Sequence, residues 1–229
     1  MTANASGWRQ SKWLIIVELA IFAGLFAADL AGLIPFSKTP FLLVLVVASW
    51  LLRRVSWRDM GFRAYRNNWL LTLALGVIGG AAIEAIELYV SQPFLVNVMH
   101  EQPDLSDFND LHGNLTLTLI YIGLAWTLAA IGEEVAYRGY LQNRIADLFA
   151  PLRGAAWIGL VLMSVAFGFA HGYQGPTGVI DEGFMGLLLG LMYLGAGRNI
   201  IIPIVAHGVQ DTIDVLLLYS GTYPMPGVH

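Results

Sequence analysis

The chain contains no cysteine, which excludes disulfides and thiolate zinc sites and leaves the redox compartment unread. Charge is scarce as well: Asp, Glu, Lys and Arg make up 12% of 229 residues, about half the share usual in soluble domains. No stretch alternates apolar and polar residues, so a membrane β-barrel has no support. Nor is there a basic patch away from the ends of the apolar runs, and this removes nucleic acid from the partner classes. Internal repeats and low-complexity tracts are missing, so residues 1–229 read as a single integral membrane domain. The common nucleophile signatures are absent too: there is no Gly-x-Ser-x-Gly elbow, no thiol and no His-Glu-x-x-His zinc helix.

What the chain does have is apolar length. Hydrophobic residues make up 57%, mean hydropathy is +0.65, and crossing a bilayer takes about 20 residues. Seven apolar segments qualify, at about 13–34, 39–52, 69–90, 115–133, 155–171, 183–197 and 200–219, of which 39–52 and 183–197 are short. The expected fold is therefore all-α, a polytopic membrane helix bundle of about seven transmembrane helices, or eight if the C-terminal end holds a re-entrant segment. The first segment exceeds a signal-peptide core and is read as retained. Basic residues fix an expected orientation. With the N-terminus cytoplasmic, Arg9, Lys12, the 53–66 arginines, Arg138, Arg144, Arg153 and Arg198 fall inside, and only Lys38 falls outside. The 91–113 loop, acidic and without Lys or Arg, fits the outer side. The stretch "RRVSWRDMGFRAYRNNW", 53 to 69, reads as an interfacial segment with Arg heads at the headgroups and aromatics at the boundary.

Ionisable groups inside a membrane are costly, so each raises a functional question. Glu18 and Asp29 read as interhelical hydrogen-bond groups. Glu84 and Glu87, spaced i, i+3, would share a polar face. Asp181 and Glu182 sit by glycines and are expected to be solvated, and His100, His112 and His229 are expected to be exposed.

Three clusters stand apart. In "EEVAYR", Glu134 and Arg138 can pair at i, i+4, which leaves Glu133 turned about 100° away. In "FGFAH", Phe167 and His171 share a face. In "HGVQD", His207 and Asp211 do so on a buried helix. Glu133 and His171 lie equally far before and after Leu152, so a helical hairpin turning there brings them to one depth. That requires the helix through Glu133 to continue to about 150, beyond the apolar run. Once convergent, a carboxylate and an imidazole can hold and deprotonate a water while a second imidazole steadies an oxyanion, and this points to hydrolysis with water as nucleophile.

These residues resemble the CPBP family of intramembrane proteases, also called the Abi or CAAX-protease family. The resemblance rests on "EEVAYR", "FGFAH" and "HGVQD" in the family's order, with "WRDMGFR" at 57–63 as a further likeness. It covers about 115–219. It implies that Glu133 and His171 activate water, that Glu134 and Arg138 support them, and that His207 and its i+4 neighbour stabilise the oxyanion. The family usually has Asn where this chain has Asp211, which is then either protonated or the charge partner of His207. No metal is required in this reading; a divalent ion, if used, would take Glu133, His171 and His207. The expectation is an intramembrane endopeptidase of a bacterial or archaeal cytoplasmic membrane, opening to the cytoplasm and cutting a membrane-associated peptide or protein. The alternatives are an inactive membrane scaffold or bacteriocin-immunity-type protein and, third, a proton-coupled carrier.

Overall fold

The computed structural model describes residues 7–35 and 37–224; His229 lies outside the described residues. The described residues are helical apart from turns and loops. The main helices are α1 (Lys12–Leu30), α2 (Thr39–Arg53), α3 (Trp69–Met99), α4 (Leu115–Phe149), α5 (Ala155–Ala170), α6 (Gly175–Gly195) and α7 (Ile201–Ser220). Five are long and apolar enough to cross a membrane, whereas α2 and α5 are shorter. Their outward faces carry large apolar side chains such as Val17, Val44, Leu70 and Ile78, as lipid-facing surfaces should. The protein is an integral membrane protein.

The sequence marks where helices start. Ser11, Asn68 and Asn114 each accept a hydrogen bond from a first-turn amide, those of Leu14, Leu71 and Leu117, satisfying donors that a helix start otherwise leaves unpaired. Three boundaries differ from the apolar runs. Helix α3 does not stop near residue 90 but passes through a π-type turn at Glu87–Ser91 and runs on to Met99. The wide turn comes just before Pro93, whose missing N–H a regular helix would leave as a gap in its ladder. Helix α4 extends to Phe149 as the hairpin register requires, with π-type turns over Ala125–Gln142. Helix α6 starts at Gly175 with Pro176 in its first turn, ahead of the apolar run. Asp181 and Glu182 therefore lie within a helix rather than on a turn. Asp181 is 2% exposed, which corrects the expectation that it is solvated: hydropathy reads its charge as an exit from the membrane, but it faces inward.

Small residues let the helices approach. A side chain at Gly80 would strike the Ala206 carbonyl of α7, one at Gly76 would meet Val205, and one at Gly168 of α5 would strike the Val179 carbonyl of α6. Close backbone contact is how membrane helices gain packing energy where lipid removes the hydrophobic drive.

Polar links define two ends of the bundle. At the first, Lys12 donates to the Ala150 carbonyl, Arg63 donates to the Gly197 carbonyl, Asn199 donates to the Arg63 carbonyl, and Gly61, at φ 97°, lies against Arg198 and Ile200. The "WRDMGFR" segment is thus docked on the α6–α7 connection, not laid out only toward headgroups. Exposed Trp13, Trp57, Trp69 and Trp157 ring this same end, the pattern of an interfacial aromatic belt. At the far end, Lys38 pairs with Asp29 at 2.8 Å and donates to the Ala170 carbonyl, Asp104 donates its amide to the Gln174 carbonyl, and Gly113 donates to the Tyr219 carbonyl.

Candidate active site

The sequence-selected residues meet. Glu133, His171, His207 and Asp211 line one cavity of about 340 Å³, with Phe167 in its wall. Glu134 and Arg138 lie behind that wall, both fully buried. As the i, i+4 spacing predicts, Arg138 Nη1 donates to Glu134 Oε1 at 2.6 Å. The same carboxylate oxygen also lies 2.9 Å from His207 Nδ1. Glu134 therefore anchors two of the three motifs at once, a tie between α4 and α7 that no local pattern could reveal.

Phe167 joins the third motif to them. Arg138 lies over its ring at 4.4 Å, the edge of His207 meets it at 6.0 Å between centroids, and His171 packs against it at 4.8 Å. Arg138 Nη2 also donates to the Gly186 carbonyl. A side chain at Gly186 would crowd the Phe167 ring, so glycine there sets how close α6 comes to the site.

The hydrogen bonds fix proton positions. His171 Nδ1 is 2.9 Å from the Phe167 carbonyl. A carbonyl can only accept, so Nδ1 carries a proton, and in the neutral ring Nε2 is the nitrogen with the free lone pair. His207 turns Nδ1 to the Glu134 carboxylate, and its Nε2 lies 3.5 Å from Asp211 Oδ1. Asp211 Oδ1 is thus within ion-pair reach of a protonated His207. Glu133 differs from Glu134 in lining the cavity; the Oε2 atoms of both are buried with no hydrogen-bond partner in the protein. The residue adjacent to a doubly paired glutamate is left with free lone pairs at the cavity.

Among the described residues no three His, Asp or Glu side chains are grouped to hold a metal ion. His207 already has a carboxylate at each ring nitrogen. No step is routed through a metal.

The cavity continues beyond the expected residues to Glu87, Gln92, Asp181, Glu182, Gln210 and Asp214. Glu87 confirms a polar face on α3 and accepts from Gln210, while Glu84 is buried behind it beside Asp214. Asp214 was findable: His207, Asp211 and Asp214 fall at i, i+4, i+7 on one helical face. The cavity also bears on the expected direction of opening. Its lining includes Ser37, Leu105, Phe108, Gln174 and Tyr223, all from the far end, and nothing from 53–68 or 143–160. A cytoplasmic N-terminus and a cytoplasmic opening therefore cannot both hold.

A polytopic helix bundle with a carboxylate and imidazole site in an internal cavity is the class that fold and site define. Residues 115–213 match the family model described as Rce1-like, type II CAAX prenyl endopeptidase. That match, over the motif-bearing segment, is a similarity to the CPBP family of membrane proteases across somewhat less than half of the chain. Comparison with curated proteins and with solved structures gave no match.

Proposed function

We propose that the protein is an intramembrane endopeptidase that hydrolyses a membrane-associated peptide or protein with a water activated by Glu133 and His171. The observation that carries this reading is that Glu133, whose Oε2 has no hydrogen-bond partner, lines the same cavity as a His171 whose Nδ1 faces a carbonyl, which leaves Nε2 of the neutral ring as the base. A water between them can give its proton to one of these bases as it attacks a peptide carbonyl. Charge then develops on the carbonyl oxygen, and His207 is the donor for it. With an acceptor at each ring nitrogen, the long 3.5 Å approach to Asp211 leaves Nε2–H able to turn to an oxyanion. Glu134 and Arg138 hold His207 and Phe167 in place and do not touch the substrate. In this reading Asp211 need not be Asn, because His207 rather than residue 211 supplies the donor.

The basic residues at the Arg-rich end favour that end as cytoplasmic, so the substrate reaches the site from the outer half of the bilayer. A prenylated CAAX substrate, as the family model's description names, belongs to this proposal only as one candidate. The test is direct: Glu133→Gln and His171→Ala proteins, inserted and folded at wild-type levels, lose cleavage of a membrane-anchored reporter. Normal cleavage by the Glu133→Gln protein contradicts the mechanism.

A further inference from the structure

The catalytic residues use one part of the cavity. The remainder, reached from α3, α6 and the C-terminal half of α7, has a different character. Its ionisable groups are Glu87, Asp181, Glu182 and Asp214, and no Lys or Arg lines any part of the cavity. Carboxylates alone would say little, but the unpaired atoms among them do. Asp181 Oδ1 accepts from Ser91 at 2.6 Å, and its Oδ2 is buried without a partner. Gln92, 2% exposed, donates its amide to Tyr223, and its Oε1 is unpaired. Gln210, 6% exposed, spends its amide on Glu87 and also leaves Oε1 unpaired. Asp214 Oδ1 is a further such atom.

Each of these atoms can accept a hydrogen bond, and none has a hydrogen-bond partner in the protein. Such groups are expensive to bury unless something donates to them. The complementary ligand has several N–H donors, a positive charge and a stem that tolerates apolar walls, here Met185, Leu189 and Val215. A guanidinium or ammonium on an aliphatic chain meets all three requirements.

We propose that Glu87, Asp181 and Asp214, with Gln92 and Gln210, form a cation-recognising subsite that takes an Arg or Lys side chain of the substrate, close to the bond that is cut. This deepens the protease reading and rests on it. The same acidic wall opposes a substrate that would bring a free carboxylate into this part of the cavity.

Binding, not cleavage, tests the subsite, so its failure is separable from failure of the protease reading. The Glu133→Gln protein is placed in phosphatidylcholine nanodiscs and titrated with 12-residue Leu/Ala peptides in which one Arg is moved through every position. The all-apolar parent and the matching Glu series serve as controls, and binding to empty nanodiscs is subtracted. In at least one register the Arg peptide binds about tenfold tighter than the parent, and the Glu peptide gains nothing. Adding Asp181→Asn, or separately Asp214→Asn, removes most of that advantage. The proposal is overturned if no register prefers Arg, or if the preference survives both substitutions. It is equally overturned if Na+, replacing N-methyl-glucamine at equal ionic strength, raises the unfolding temperature while Arg gives no preference, which would assign the acceptors to an inorganic cation.

Discussion

Two of the buried charged clusters in this bundle are built differently. Near the Arg-rich end, Glu18 is 4% exposed and fully engaged: Arg53 donates to both of its oxygens, and Ser49 donates to one of them at 2.7 Å. The cavity at the candidate site does not reach it. In the candidate site, Glu134 bonds Arg138 and His207 through Oε1 alone and leaves Oε2 without a partner, and its neighbour Glu133 opens on a cavity shared with His171, His207 and Asp211. Buried charge alone is thus a poor guide to function in a membrane. A closed, saturated pair tethers helices, here α1 to α2. A carboxylate with unused lone pairs facing a cavity is available for chemistry.

That contrast can be broken by substitution. The largest effect expected is on catalysis: Glu133→Gln lowers the cleavage rate by about 10³-fold or more while the unfolding transition in detergent stays where it was. Next is Arg53→Met, which leaves Glu18 buried with its main partner gone and costs about 3–5 kcal/mol of stability. Unfolding measurements read that loss, and the folded fraction retains its per-molecule cleavage rate. If Arg53→Met lowers the turnover of folded protein as much as Glu133→Gln does, the two clusters are not separate in function. Gly80→Val forces α3 away from α7, costs about 1–3 kcal/mol by overpacking, and lowers activity only through the fraction unfolded. The smallest change is expected from Asp211→Asn, which keeps a hydrogen-bonding group beside His207 and alters cleavage by no more than about tenfold. A loss as deep as that of Glu133→Gln would show that the Asp211 charge is itself required.

Much of the site could be read along the chain because its signals are local or follow from one hairpin. The Glu134–Arg138 pair needs only i, i+4 geometry, and Glu133 meets His171 because α4 and α5 turn near Leu152. What was hidden depended on contacts between distant helices. The sharing of Glu134 between Arg138 and His207 joins α4 to α7, and Asp181 reads as solvated until α3 is seen to supply Ser91. Helix ends were missed wherever hydropathy and helicity part: α3 continues past its apolar run through the π-type turn at Glu87, and α6 begins before its own. The end toward which the cavity opens follows from the loops that cap it, and residue spacing carries no trace of that.

The most direct test of the central claim compares new chain ends made by wild-type and Glu133→Gln protein in matched proteoliposomes holding a pool of membrane-anchored peptides, read by mass spectrometry. The account predicts new C-termini with wild-type protein and none above background with Glu133→Gln, although both fold alike. Equal numbers of new termini from the two proteins would contradict it, and Glu133 would then be another structural carboxylate like Glu18.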